Sequence, residues 1–308
     1  MAFYKYTTIS TAEIILRNNS LRWSSPLLFN DIEECQFTPF TQESFMKAFE
    51  MYEKVIEQCA SGCLIFDQEK FSGNTRLLID AVKLCKQQGV NTAFPSDNFL
   101  LNQGEMHLDY INKGIINCFR ILCVTNSYNK NLMWAYYAEQ HYGCVLELEN
   151  VFIEPPRQLK ESEVRYHENI EPLSNPLDKL LYGETPEVKE LMIKDIMFSK
   201  RSNWKHEEEY RFIFVENFGE ITSEIDTQTG KYQTTTKYQP DKLYTDVPIL
   251  KESVKSIIFG VRTNEENIAK IVSAASENEF NCEFYKMKMQ GGSLVKEPLS
   301  IEMVRISN

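Results

Sequence analysis

The chain has 308 residues, of which 43% are apolar and 25% charged, enough for one large folded unit or two ordinary ones with a real core. Glycine (12) and proline (11) are scarce, which excludes collagen-like and low-complexity classes. The 33 basic and 44 acidic residues give a net charge of −11, a field that opposes general binding to nucleic acid or to an anionic membrane surface.

Residues 2–6 read as a short strand. Ser10-Thr11-Ala12-Glu13 has capping-box form and predicts a helix through Ile14, Ile15 and Leu16 that ends at Asn18-Asn19. Leu21-Arg22-Trp23 resumes extended structure, and Ser24-Ser25-Pro26 breaks it. Between about residues 41 and 113 the spacing is helical, with Phe45, Phe49, Tyr52, Ile56 and Cys59 on one face. Leu77, Leu78, Ala81, Val82, Leu84 and Cys85 mark a second helix that Gly89 ends. Residues 115–125 are apolar and β-rich. A short helix is expected over 131–140 and a half-buried strand over 144–149. Helices follow over 186–200 and 264–276, and strands over 210–215, 255–259 and 282–289. The class is therefore α+β, a mixed or antiparallel sheet in which the first strand joins those of the second half. The whole chain, 1–308, reads as a single domain with a helical insertion at about 40–113.

No apolar run approaches the roughly 18 residues of a membrane-spanning helix. The N-terminus lacks signal-peptide architecture, and eight cysteines without a leader do not read as a disulfide framework, so the expected compartment is the cytoplasm. Cys118, Cys123, Cys144 and Cys282 are expected as buried thiols, and Cys59 with Cys63 is a weak zinc signal because no matching pair stands nearby. The four histidines are scattered, and no Gly-rich phosphate loop or serine nucleophile elbow is present. Lys194, Lys200, Arg201 and Lys205 read as a solvated helix end.

Each of the three tryptophans lies in a cluster of polar and aromatic residues. The first cluster runs from Tyr4-Lys5-Tyr6 to Leu21-Arg22-Trp23-Ser24-Ser25-Pro26 and Phe29-Asn30-Asp31. The second is Met133-Trp134-Ala135-Tyr136-Tyr137-Ala138 with His141-Tyr142-Gly143, and the third joins Lys200 and Trp204 to Glu207-Glu208-Glu209-Tyr210-Arg211. Taken singly, such aromatics fill cores. The charged groups are harder to place. Lys5 stands mid-strand between two tyrosines, and Glu207, Glu209 and Arg211 follow a two-residue period that puts them on one strand face, with Glu208 on the other. The clusters are expected to converge, with Lys5, Asn30, Trp134, Tyr137 and Glu209 lining one cleft.

These clusters, together with Ile257-Ile258-Phe259-Gly260, resemble the signatures of a prokaryotic family catalogued as domain of unknown function 2971. Ile32 departs from the family's usual proline after Asn-Asp. A more distant resemblance is to ADP-ribosyltransferases, which open on a strand with a basic or polar residue beside a tyrosine, place aromatics around nicotinamide and end on a glutamate at a strand start. That resemblance implies roles for Lys5 or Tyr6, for Tyr137 or Tyr142, and for Glu209, with Glu207 as the other member of a glutamate pair. It implies NAD as substrate and no metal. The candidate set is Glu209, Glu207 and Tyr137 for chemistry. Lys5, Tyr6, Arg22, Ser24, Asn30, Asp31, Trp134, Tyr142 and Arg211 complete it as ligand-binding residues. Two other readings stand beside this one. One is a non-catalytic module that binds a small nucleotide-like ligand in a defence or stress system, with a protein partner encoded nearby. The other is a metal-dependent phosphodiesterase in which Asp31, Glu33, Glu207 and Glu209 hold the ion.

Overall fold

The computed structural model describes residues 2–36, 40–62, 66–91, 116–169, 172–216, 221–225, 232–236 and 242–299. The chain begins with β1 (Phe3–Thr7), α1 (Ile9–Asn18) and β2 (Ser20–Ser24), then turns into two long helices, α2 (Gln42–Ala60) and α3 (Gly73–Gln87). β3 (Phe119–Thr125), α4 (Asn131–Tyr137), β4 (Cys144–Leu148), β5 (Lys160–Glu163) and β6 (Arg165–His167) follow. Next come α5 (Pro176–Tyr182), α6 (Pro186–Met197), β7 (Ser199–Arg201), β8 (Glu209–Val215), β9 (Ile221–Ile225) and β10 (Tyr232–Thr236). β11 (Tyr244–Pro248), β12 (Val254–Phe259), α7 (Glu265–Glu277), β13 (Glu283–Gln290) and β14 (Ser293–Pro298) complete the described fold.

A ten-stranded, mostly antiparallel sheet runs β11-β2-β3-β1-β4-β12-β13-β14, with β8 added to β3 and β5 to β8. The first strand does join the later ones, and the fold is α+β. β12 and β13 are parallel, joined through α7. The sheet splits at β3. One edge of β3 pairs with β8 along its whole length, from Phe119↔Val215 to Thr125↔Glu209. The other edge is shared, meeting β2 at Ser24↔Ile121 and β1 at Tyr4↔Thr125. β1 meanwhile pairs with β4 at every position from Phe3↔Leu148 to Thr7↔Cys144. Between those two contacts, Leu122 to Val124 face no strand on that edge among the described residues, and a gap opens between β1 and β2.

Strand alternation sends side chains to two different cores. Leu122, Val124, Leu146, Phe212 and Ile257 pack under α1 and α7 with Trp23, Ile15 and Ile271. On the other face Ile121 and Ile213 join Ile196 and Met197 of α6, while Val145 and Ile258 join Tyr6 and Trp134 of α4. Burying each such aliphatic side chain contributes roughly 1.5–3 kcal/mol.

Several local expectations shift. The cap of α1 is Thr8, whose side chain accepts from the Thr11 amide, so the helix begins before the Ser10 capping box. Asn19, left-handed at φ 49°, closes it. In the helical insertion α2 buries the expected face, but α3 buries Thr75, Ile79 and Val82, leaving Leu77 70% and Leu84 53% exposed. The reason is tertiary: α5, from much later in the chain, closes this small core with Leu181, and Thr75 donates to the Leu180 carbonyl at 3.0 Å. The expected helix 186–200 stops at Met197, and Lys200 instead lies in β7, beside β6. Residues 92–113 of the expected insertion, and Cys63 of the weak zinc signal, lie outside the described residues. The other seven cysteines are free thiols; Cys118 and Cys144 are buried as expected, whereas Cys123 and Cys282 are only half-buried. Among the described residues no helix is long and apolar enough to cross a membrane.

Two glycines mark close backbone approaches. A Cβ on Gly143 would lie 2.3 Å from the Thr7 carbonyl oxygen, and one on Gly260 would lie 2.0 Å from the His141 carbonyl oxygen. Backbone cannot retreat as a flexible side chain can. Gly143→Ala and Gly260→Ala should each therefore cost about 1–3 kcal/mol of unfolding free energy, as read from urea denaturation; an unchanged midpoint for both would contradict the packing described.

Candidate functional site

A cavity of about 410 Å³ opens where the sheet splits. That is within the range of small-molecule sites. Its walls come from all three sequence clusters, although more than 200 residues separate Lys5 from Glu209. β1 contributes Tyr4, Lys5 and Tyr6, the segment after β2 contributes Phe29, Asn30 and Glu34, and α4 contributes Met133, Tyr136 and Tyr137. Cys123 of β3, Lys200 of β7 and the two glutamates Glu207 and Glu209 complete it.

The acidic end is a buried ion network. Lys200, 6% exposed, directs its ammonium at Glu207 Oε2 (2.6 Å), Glu34 Oε2 (3.3 Å) and Glu209 Oε2 (3.4 Å). Arg211, fully buried, holds Glu209 by two bonds, Nε to Oε1 at 2.7 Å and a terminal nitrogen to Oε2 at 3.0 Å. It also pairs with Glu34 and donates to the Met197 carbonyl at 2.6 Å. Tyr137 donates its hydroxyl to Glu207 Oε1 at 2.5 Å and is itself hydrogen-bonded to Asn30. Burial pushes the Glu209 carboxyl above the usual carboxylate range while Lys200 draws it back. Burial alone would lower the Lys200 ammonium, but Glu209 and Glu207 outweigh it and hold it above the ordinary lysine value. Lys200 is thus a fixed cation. The Cys123 thiol is pushed well above its ordinary value by burial, then by Glu209, so it is a poor nucleophile.

How the two glutamates meet is a matter of backbone. Glu209 and Arg211 share a face of β8, opposite Thr125 and Cys123. Glu207, however, ends the 3₁₀ turn Ser202–Glu207, and Glu208 is left-handed at φ 44°. The strand period expected over 207–211 holds only from Glu209 onward; the left-handed residue between the glutamates brings them to one ammonium. Glu208 does turn away, into an ion pair with Lys130. The Glu209 amide is capped by the Tyr166 hydroxyl at 2.8 Å.

The opposite wall is different. The Lys5 ammonium reaches only the Cys123 carbonyl, at 3.4 Å in the gap of the sheet, and among the described residues no carboxylate lies within 4 Å of it. Burial lowers its pKa, with Cys123 and Glu209 opposing the shift. Among the described residues Lys5 therefore faces the cavity without an ion-pair partner.

Of the expected site residues, Lys5, Tyr6, Asn30, Tyr137, Glu207 and Glu209 line this cavity. The others lie elsewhere. Trp134 is fully buried, set edge-on against Tyr6 at 5.3 Å with its indole donating to the Tyr128 carbonyl, so it supports the wall rather than forming it. Arg211 lies beneath Glu209. Arg22 makes a two-pronged pair with Asp246 (2.9 and 3.2 Å) under Tyr244, and Ser24 is a strand position between Tyr244 and Ile121. Asp31 accepts the Glu33 amide at 3.0 Å to close the turn that presents Glu34. Tyr142, 49% exposed, lies beside Arg262. Glu34 and Tyr4 stand outside the candidate set, and Lys200, a member of the third cluster but expected at a solvated helix end, is buried. A signal existed for Lys200 in its neighbour Trp204, whose ring it approaches at 4.9 Å; Glu34 carried none.

As metal ligands the acids are poorly placed. Glu33 pairs with the exposed Arg201, and the Lys200 ammonium stands where a cation held by Glu34, Glu207 and Glu209 would have to sit.

Removing one partner from a buried ion network leaves the other charges uncompensated. Arg211→Met should therefore lower unfolding stability by about 3–5 kcal/mol. A loss under about 1 kcal/mol in urea denaturation, the size of a surface pair, would contradict the burial of this network.

No family model matches the chain, and no curated protein or solved structure is found to be similar to it.

Proposed function

We propose that this cavity binds NAD and that the protein is an ADP-ribosyltransferase-like enzyme. One observation carries the reading: three distant clusters supply one cavity with an aromatic wall, an ammonium without an ion-pair partner and two oriented carboxylates. The tyrosine wall suits a flat nicotinamide, and Lys5 suits the pyrophosphate. Transfer breaks the bond between the ribose C1′ and the nicotinamide nitrogen, and the bonding electrons leave with nicotinamide. Positive charge then develops on the ribose, and carboxylates already held in place stabilise it without reorganising. An acceptor nucleophile, or water, bonds to C1′ and gives up its proton. In this scheme Glu209 is the principal acid, Glu207 assists, and Tyr137 orients Glu207.

A second reading, binding without cleavage, is favoured by a specific observation. Every carboxylate of the cavity already has a cation: Glu207 has Lys200, and Glu34 and Glu209 have both Lys200 and Arg211. Carboxylates paired in this way suit hydrogen bonding to ribose hydroxyls as well as they suit chemistry.

Thermal unfolding with and without NAD, paired with a measurement of released nicotinamide, separates the two. A ligand at about 100 times its dissociation constant adds roughly 2.7 kcal/mol to the folded state. The transferase reading expects a raised Tm and nicotinamide release that Glu209→Gln abolishes while binding persists. A raised Tm with no release selects the binding module, and neither effect in folded protein rejects both readings.

The protonation of Lys5 makes a further test. Its ammonium holds an anion only below its pKa, and burial sets that pKa below the ordinary 10.5. Affinity for NAD should therefore fall as pH rises through a midpoint under 10.5, and Lys5→Arg should carry binding to higher pH. A pH profile identical in the two proteins would remove Lys5 from the anion site.

A further inference from the structure

From Tyr136, at the edge of the tyrosine wall, a row of rings leads outward, and its other two members do not line the cavity. Tyr136 of α4 lines the mouth and is 63% exposed. Its ring centre is 6.3 Å from that of His206, and His206 is 6.0 Å from Trp204, inclined at 32°. Trp204 in turn covers the Lys200 ammonium on the cavity floor. The three rings therefore continue directly from the site to the surface. They belong to α4 and to the 3₁₀ turn Ser202–Glu207, the two elements that deliver Tyr137 and Glu207 to each other. Trp23 and Trp134 are fully buried, so Trp204 is the one tryptophan that solvent reaches.

The turn fixes the middle ring of this row: a carbonyl can only accept, so the His206 Nδ1 donates to the Asn203 carbonyl at 3.1 Å.

We infer that Tyr136, His206 and Trp204 form an outer stacking subsite for a nucleobase, so that the occupant of the cavity is a dinucleotide with one ring inside and one at the mouth. This rests on reading the cavity as a nucleotide site. It adds the chemical class of the outer half of the ligand and assigns it residues. Stacking a base on an aromatic side chain is sequence-tolerant and strong enough to measure.

Trp204 emission, taken as the difference between the native protein and Trp204→Phe, is the readout, excited where nucleotides do not absorb. The probes are NAD, nicotinamide mononucleotide and AMP, with Tm measured in parallel. NAD and AMP should quench Trp204, whereas nicotinamide mononucleotide should raise Tm without quenching. Trp204→Phe should remove the signal and leave NAD bound. His206→Ala, in the turn, should weaken NAD and AMP about tenfold and leave nicotinamide mononucleotide unchanged, and Tyr136→Ala, at the mouth, should weaken NAD and AMP likewise. If NAD raises Tm while Trp204 emission stays constant, or if His206→Ala weakens NAD and the mononucleotide equally, the outer subsite is overturned and the nucleotide reading survives. If none of the three probes raises Tm or quenches, both fall together.

Discussion

The buried network of Lys200 and Arg211 with Glu34, Glu207 and Glu209 is the constraint on which the site depends. Two cations and three carboxylates, all 6% exposed or less, are held by partners from four separated parts of the chain. Desolvating so many charges is expensive, and the Coulomb attraction repays it only with accurate geometry. That requirement ties together the turn carrying Glu34, the short strand β7, the 3₁₀ turn before β8 and the start of β8. These segments close the acidic end of the cavity, so whatever holds the network also shapes the pocket.

The split in the sheet is the complementary element. A continuous sheet would satisfy both edges of β3 with backbone partners and leave no room for a ligand. Here β1 and β2 share one edge and leave a gap, which Lys5 enters to reach the Cys123 carbonyl. The resulting cavity has a fixed charge pattern, three carboxylates paired with two cations at one end and, on the opposite wall, an ammonium with no ion-pair partner among the described residues. Such asymmetry orients a ligand with an anionic centre and hydroxyls or a cationic transition state nearby.

The helices around the cavity act through positioning. Trp134 and the close approaches at Gly143 and Gly260 lock α4 against the sheet. The segment Glu139–His141 that follows α4 is held with positive φ at all three residues, a conformation that costs about 1–3 kcal/mol per residue and persists only under tight packing. This anchorage sets Tyr137 at hydrogen-bond distance from Glu207 and leaves Tyr136 at the mouth.

Much was legible in the sequence because it is local. Hydrophobic periodicity marked α2, the strands β3, β4, β8 and β12, and helix α7 to within a few residues, since each buries a face set by its own spacing. The rarity of tryptophan and the mid-strand charge of Lys5 pointed to the three clusters, and four segments that carry them do meet. What remained hidden is non-local. Within residues 194–205 only the nearby Trp204 hints that Lys200 differs from its exposed neighbour Arg201, because burial is decided by where Glu34, Glu207 and Glu209 arrive. The exposure of Leu77 and Leu84 follows from the late docking of α5. Strand alternation could place Glu209 with Arg211, but the left-handed turn at Glu208 that adds Glu207 depends on the packing of the preceding 3₁₀ turn. The sequence by itself determined the α+β class and the chemical kinds of group available. Only the tertiary structure decided which of these charges are paired and that Lys5 faces the cavity, because burial and pairing belong to segments distant in the chain.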